Sequence, residues 1–279
     1  MAANADFAIN SYSYTLDHTA AQFLNKLADR GYVEFELMMY PGHLWPKDMS
    51  TGDRKELRQL IERRGLKIAT LNMPNIDINI AGASKEMREY SLDLLQRLVE
   101  FAGELGVPGV IIAPGKANVL YSMPRDQLMG HFFAGLDRLA PLAKKVGTKL
   151  VLENMPFTFL PKMDEMLAAL NQYGNDDIAI MYDVANGWFV KEDIADALRA
   201  AQKSGRLVLT HYSDTNQTLY RHDPIGLGTV PFATIPPILA EIGFTGRPML
   251  EIITPNADAV IDDSVRQLAD VGYGRSRSG

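Results

Sequence analysis

Four side chains able to hold a cation or carry a proton stand at the ends of short apolar runs. Glu153 ends Leu150-Val-Leu-Glu, Asp183 ends Ile180-Met-Tyr-Asp, His211 ends Val208-Leu-Thr-His, and Glu251 follows Met249-Leu. Successive members are 30, 28 and 40 residues apart. An ionised carboxylate closing an apolar strand is costly to bury unless its charge is compensated. Alone, such a residue is more often a helix cap or an ion-pair partner. Four in succession point instead to one site sharing a divalent cation. Three hard oxygen donors with one imidazole nitrogen favour Mn²⁺, Mg²⁺ or Co²⁺ and admit Zn²⁺, a choice that ligand type does not make; Mn²⁺ is the first expectation.

The chemistry open to such a site is proton transfer next to a carbonyl. A cation facing a carbonyl and its neighbouring hydroxyl acidifies the C–H between them and stabilises the enediolate that results. If Glu153 and Glu251 face each other across the site, one can remove the proton and the other return it. Return to the opposite face is epimerisation, return to the adjacent carbon is isomerisation, and loss of a β-hydroxyl is dehydration. Further candidates are substrate contacts: Asn186, Lys116 and Glu36 near strand ends, and Arg221 and His222 in the stretch 221–228. There Gly226 and Gly228 permit close backbone approach. A plain turn competes for that stretch, and a structural ion pair for Glu36. Tyr40, His43 and Asn72 are weaker candidates, Trp188 lines the site or packs its loop, and His18 and His131 are expected to be structural or solvent-facing.

Such groups need a scaffold that brings strand ends together. β-rich runs occur at 7–10, 33–37, 67–71, 109–113, 149–153, 178–182, 207–210 and 248–252. Eight runs in 279 residues leave about 35 residues for each, the length of one βα unit. Several are continuously apolar, as strands covered on both faces are. Residues 84–105 place Met87, Tyr90, Leu94, Leu98 and Phe101 on one helical face, and 126–146 do the same with Leu128, Phe132, Leu136, Leu139 and Leu142. Gly106 and Gly147 are the expected stops. Weaker helical patterns cover 191–203 and 256–271. No linker divides the chain, so the expectation is a single (β/α)8 TIM barrel over residues 1–273, with chemistry on the rim where strands end. A doubly wound sheet is the rival, but no GxGxxG or GxxxxGK[ST] follows an early strand. Residues 274–279 carry nothing apolar and read as a tail.

Composition narrows the function classes. The chain has no cysteine, which excludes thiolate metal sites, disulfides and a Cys nucleophile. Its net charge of −6, with basic residues scattered, argues against a nucleic-acid partner. No apolar stretch approaches the roughly 20 residues of a membrane span, and residues 1–10 lack a secretory pattern, so a cytoplasmic protein is expected.

Taken together, Val151-Leu-Glu-Asn154, Tyr182-Asp-Val-Ala-Asn186, Thr210-His-Tyr-Ser-Asp214, His222-Asp-Pro-Ile-Gly-Leu-Gly228 and Leu250-Glu-Ile252 resemble the xylose-isomerase-like TIM barrels. That family includes ketose 3-epimerases, hydroxypyruvate isomerases and related dehydratases, and the resemblance covers nearly the whole chain. It implies that Glu153, Asp183, His211 and Glu251 bind one divalent metal, that both glutamates handle protons, and that the partner is a small-molecule sugar. Members often form homo-oligomers. Many carry His three positions after the strand-six Asp, where this chain has Asn186. A metal-dependent isomerase or epimerase is the first reading. A dehydratase or other lyase of a keto-sugar, keto-cyclitol or dehydroshikimate-like acid is the alternative. A repair enzyme of the endonuclease IV type is disfavoured, since it needs a histidine-rich three-zinc cluster and this chain has five His. A sugar-binding barrel without turnover completes the set.

Overall fold

The apolar runs become strands and the periodic segments become helices, in alternation. The computed structural model of the chain describes residues 4–274. Its strands are β1 (Ala8–Asn10), β2 (Glu34–Met38), β3 (Lys67–Asn72), β4 (Gly109–Ile112), β5 (Lys149–Glu153), β6 (Ala179–Asp183), β7 (Leu207–Tyr212) and β8 (Met249–Leu250). Each pairs in parallel with the next, and β8 closes on β1, which gives the expected barrel. The helices are α1 (Ala20–Asp29), α2 (Thr51–Arg63), α3 (Lys85–Leu105), α4 (Arg125–Val146), α5 (Met163–Tyr173), α6 (Val184–Phe189), α7 (Ile194–Lys203), α8 (Ile235–Glu241) and α9 (Ala257–Asp270). Among the described residues, no helix is long and apolar enough to cross a membrane. Residues 275–279 of the expected tail lie outside the described residues.

Alternation along each strand builds two cores. Inward residues Ala8, Ile111, Val151, Ala179, Met181, Leu209 and Met249 fill the barrel. Outward residues such as Phe35, Leu37, Ile112, Leu152 and Ile180 meet helix faces that include Phe23 and Leu27 of α1, Leu98 and Phe101 of α3, and Phe132 and Leu136 of α4. Each buried side chain of this size contributes about 1.5–3 kcal/mol of transfer free energy. Gly106 and Gly147 end α3 and α4 in left-handed conformation, with φ of 69° and 80°.

Two expectations need correction. Met87 and Tyr90 are exposed, at 51% and 64%, because the face of α3 that packs begins only at Ser91. The eighth run shortens to Met249–Leu250, so Glu251 stands just beyond its strand rather than within it.

Two glycines separate propensity from packing. A Cβ on Gly103 of α3 would lie 2.5 Å from Val146 Cβ, whereas one on Gly130 of α4 meets nothing within 4 Å. Gly130→Ala is therefore expected to raise stability by about 0.5–1 kcal/mol, and Gly103→Ala to lower it by about 1–3 kcal/mol despite the same helical preference. Urea unfolding of the two variants measures both, and a stabilised Gly103→Ala protein would contradict the packing of α3 on α4.

Candidate metal centre

The inward set of the barrel predicts its own rim. Two residues beyond inward-facing Ala8, Val151, Met181, Leu209 and Met249 come Asn10, Glu153, Asp183, His211 and Glu251, on the same face. Register completes the placement: Glu153 pairs with Met181, Asp183 with His211, and His211 with Met249. Glu153, Asp183, His211 and Glu251 thus converge, each with a ligating atom within 4.8 Å of those of the others. All four are buried, at 4%, 0%, 0% and 5% exposure.

Neutral donors hold the cluster in place. Asp183 caps α6 by accepting from the Asn186 backbone N–H at 2.7 Å through Oδ1, which leaves its buried Oδ2 with no hydrogen-bond partner. Asn154 locks the same strand end, donating to Asp183 O at 3.0 Å and accepting from Asp183 N at 2.7 Å. His211 Nδ1 lies 3.3 Å from Glu251 Oε2 and 3.9 Å from Asp183 Oδ2, while its Nε2 faces Glu36 Oε2 at 3.5 Å. Asn10 Nδ2 donates to both Glu36 Oε1, at 2.5 Å, and Glu251 Oε1, at 3.0 Å. Thr70 and Asn72 also donate to Glu36.

The electrostatics follow from burying so many acids together. Burial first, then the charge of Glu251, hold the Glu153 carboxyl well above the usual range. Burial pushes Asp183 up to about 6, although His222 pulls it back. Burial would lower His211, but Glu36 and Glu251 outweigh it and hold the imidazole well above its ordinary value. For Glu36 burial would raise the carboxyl, but His211 outweighs it and keeps the group low.

The other expected site residues divide. Asn186 is buried beside the cluster and donates to Glu153 Oε1 at 3.2 Å and Asn154 O at 2.8 Å. His222 Nδ1 lies 3.5 Å from Glu251 Oε2 and 2.9 Å from Ser213 Oγ. Glu36 is fully buried beneath the cluster, against His211. Arg221 is exposed with Nη1 3.8 Å from Asp223, and Lys116 Nζ donates to Ile76 O. Neither reaches the four-residue group. Asn72 supports Glu36, Trp188 Nε1 packs its loop by donating to Thr229 Oγ1 at 3.0 Å, and His43 is buried between Ser11 Oγ and His18 O. Asn10 and Tyr220, whose hydroxyl sits between Asn186 and His222, are not among the residues singled out from sequence, and Asn154 stands there only within a motif. Asn10 carried a usable signal, as the polar end of the first apolar run.

Residues 24–271 match the family model described as "Xylose isomerase-like TIM barrel". The chain belongs to this family. It is 21% identical over 228 residues to L-ribulose-5-phosphate 3-epimerase UlaE of Salmonella paratyphi A, covering 81% of this chain and 79% of that protein. Among solved structures it is similar to 3-keto-D-glucoside 4-epimerase YcjR of E. coli, with TM-score 0.76 and 18% identity over 95% of this chain and 99% of that one. D-psicose 3-epimerase of Clostridium cellulolyticum H10 gives TM-score 0.76 and 17% identity over 95% and 96%. At these identities the structural likeness is one of fold.

The raised acids make stability pH-dependent when no metal is bound. The Asp183 pKa is 3.8 unperturbed and about 6 when folded. Its contribution is therefore fully present below the lower value and lost as pH rises through the upper one. Glu153 and His211, also raised, act in the same sense. A cation needs the deprotonated ligands and so stabilises more as pH rises. Urea midpoints in EDTA and in Mn²⁺ are expected to diverge steadily from about pH 5 to about pH 8. The comparison cancels groups elsewhere, such as Glu192, which burial pushes up to about 7. Parallel curves in the two media would contradict a metal centre.

Proposed function

We propose that this chain is a divalent-metal-dependent isomerase or epimerase of a ketose or hydroxycarbonyl sugar, with Mn²⁺ the first candidate ion. The observation that carries the proposal is the four-residue group itself, with ligating atoms inside 4.8 Å and one buried oxygen, Asp183 Oδ2, without a hydrogen-bond partner. The donor set of three carboxylates and one imidazole suits a hard or borderline divalent ion. Glu153, Asp183, His211 Nδ1 and Glu251 would hold it. When bound, the ion supplies positive charge opposite a carbonyl and its neighbouring hydroxyl, which lowers the cost of removing the proton between them.

The chain's own groups do the rest. Glu153 and Glu251 come from the fifth and eighth strands, with Asp183 and His211 between them, so their carboxylates approach a substrate from two sides. One takes the proton from the substrate carbon and the other delivers one from the opposite side. Without the ion, burial favours the protonated form of Glu153; Asn10 fixes the Glu251 carboxylate. Asn186 and His222 border the substrate oxygens, and Glu36 orients His211 from beneath. Arg221 and Lys116, on rim loops, contact the far end of a substrate only after leaving Asp223 and the Ile76 carbonyl. The net charge of −6 favours a small sugar over nucleic acid. The curated relative is named for a ketose phosphate and the structural neighbours for free ketoses or a keto-glucoside. Their shared element is a carbonyl next to a C–H that exchanges, and this sets the substrate class proposed here.

Incubation with Mn²⁺ and a ketose panel in D₂O is expected to put solvent deuterium on one carbon without loss of water. Loss of water instead would assign a lyase, and a metal-loaded protein that exchanges no C–H across ketoses, ketose phosphates and keto-glycosides would refute the proposal. Glu153→Gln or Glu251→Gln is expected to reduce kcat by at least about 10²-fold with the fold intact. Asp183→Asn and His211→Gln are expected to lower metal retained after dialysis, as read by elemental analysis.

A further inference from the structure

Three polar groups beside the centre form an unbranched chain whose hydrogens can be placed by counting. Asn186 Nδ2 faces Glu153 Oε1 and the Asn154 carbonyl, and a carbonyl only accepts, so the amide nitrogen belongs on that side. Its Oδ1 therefore faces Tyr220, whose hydroxyl at 2.8 Å must donate. That spends the only hydrogen Tyr220 has. The same oxygen, 2.8 Å from His222 Nε2, must then accept, so Nε2 carries the ring hydrogen. His222 Nδ1 is left bare and accepts from Ser213 Oγ at 2.9 Å. It lies 3.5 Å from Glu251 Oε2 and 3.9 Å from Asp183 Oδ2.

We infer that the Tyr220 hydroxyl is a positioning group that locks the Asn186 amide toward Glu153 and the His222 ring in its Nε2–H form, leaving both glutamates free to exchange protons. Without it, His222 can shift its hydrogen to Nδ1 and donate to Glu251 or Asp183. The Asn186 amide can also turn its oxygen toward Glu153. Either change alters an acidic oxygen at the centre while leaving the pocket shape intact.

The hydroxyl is held from all sides. The Tyr220 ring packs edge-on against Phe157 at 5.1 Å and His222 at 5.2 Å, and is tilted on Phe189 at 5.3 Å. Its loop is anchored by Asp214, which exchanges two backbone bonds of 2.8 Å with Asp223 and accepts from the N–H groups of Gly226 and Val230. Burial holds the phenol well above its ordinary pKa, so it keeps the hydrogen it must donate. Tyr220→Phe removes the oxygen and keeps the ring, which makes it a clean probe.

The functional part of this inference rests on Glu153 and Glu251 being the proton-moving pair; the tautomer part does not. ¹⁵N-histidine NMR of the metal-free protein, with His222 assigned by His222→Gln, is expected to show a protonated Nε2 and a bare Nδ1. Tyr220→Phe is expected to move the hydrogen wholly or partly to Nδ1, whereas Ser213→Ala leaves it on Nε2. On whichever substrate the D₂O assay identifies, Tyr220→Phe is expected to lower kcat by about 10–100-fold with KM and metal retention little changed. An unaltered His222 tautomer in Tyr220→Phe, a shifted one in Ser213→Ala, or an unchanged kcat beside a shifted tautomer overturns the inference. If no substrate is turned over, the proposed function fails, while the NMR comparison still decides the lock.

Discussion

Like charges in a buried space govern this molecule. Glu153, Asp183 and Glu251 converge at the top of an apolar barrel with Glu36 directly below, and His211 stands among them. Two unit charges about 4 Å apart repel by about 4 kcal/mol at an effective dielectric of about 20. Three or four such pairs rival the net stability of an ordinary domain, about 5–15 kcal/mol. The structure answers with neutral donors and shared protons. Among the described residues, the partners of these four carboxylates are amides, a hydroxyl, one backbone N–H and two imidazoles, with no Lys or Arg. A cluster compensated in this way is left with capacity for a cation.

The other end of the same barrel shows what a purely structural solution looks like. Glu34, two residues before Glu36 on β2, is also buried, but Lys67 Nζ lies 3.0 Å away and Arg247 pairs with its second oxygen. Fixed cations settle that charge within the chain. A cavity of about 570 Å³ opens there, lined by these groups, Lys149 and the loop Gly243–Arg247. Its size alone would admit a small ligand. Yet among the described residues the acid that lines it, Glu34, is paired, and it lies at the face where strands begin, which in this fold serves stability. The contrast between Glu34 and Glu36, one pleat apart, separates an end of the barrel whose buried acid is paired with fixed cations from one whose buried acids are not.

How much of this could be read beforehand depends on how local the cause is. Each candidate ligand at a strand end was legible because a short apolar run closed by a polar residue marks both the strand and the place where it stops. The long helices α3 and α4 were legible from their apolar stripes, whereas α2, with Leu57 its one buried residue, shows hardly any stripe. The six-residue α6 is too short for periodicity to register. Its cause is Asp183 acting as both cap and candidate ligand. The supporting contacts were not legible because barrel closure creates them. Asn10 and Glu251 are 241 residues apart and meet only where β8 pairs with β1. Tyr220 lies in an irregular loop whose path is set by Asp214, and nothing in the local pattern distinguishes it from a surface tyrosine.

The same contacts make the two glutamates unequal. Glu251 is bonded by Asn10, stands 3.3 Å from the His211 ring, and faces His222 at 3.5 Å. Glu153 has the single Asn186 amide, and burial together with Glu251's charge keeps it protonated above the ordinary carboxyl range. In a two-base reaction, an acid and a base must start in opposite protonation states, and a difference in surroundings is what sets them apart. On the proposed function, this difference in neighbours distinguishes the two ends of the proton path, and the roles of Glu153 and Glu251 reverse between the two directions of the reaction. A bound cation would not remove that asymmetry, because it lies in Asn10, Asn186 and His222, which belong to the chain.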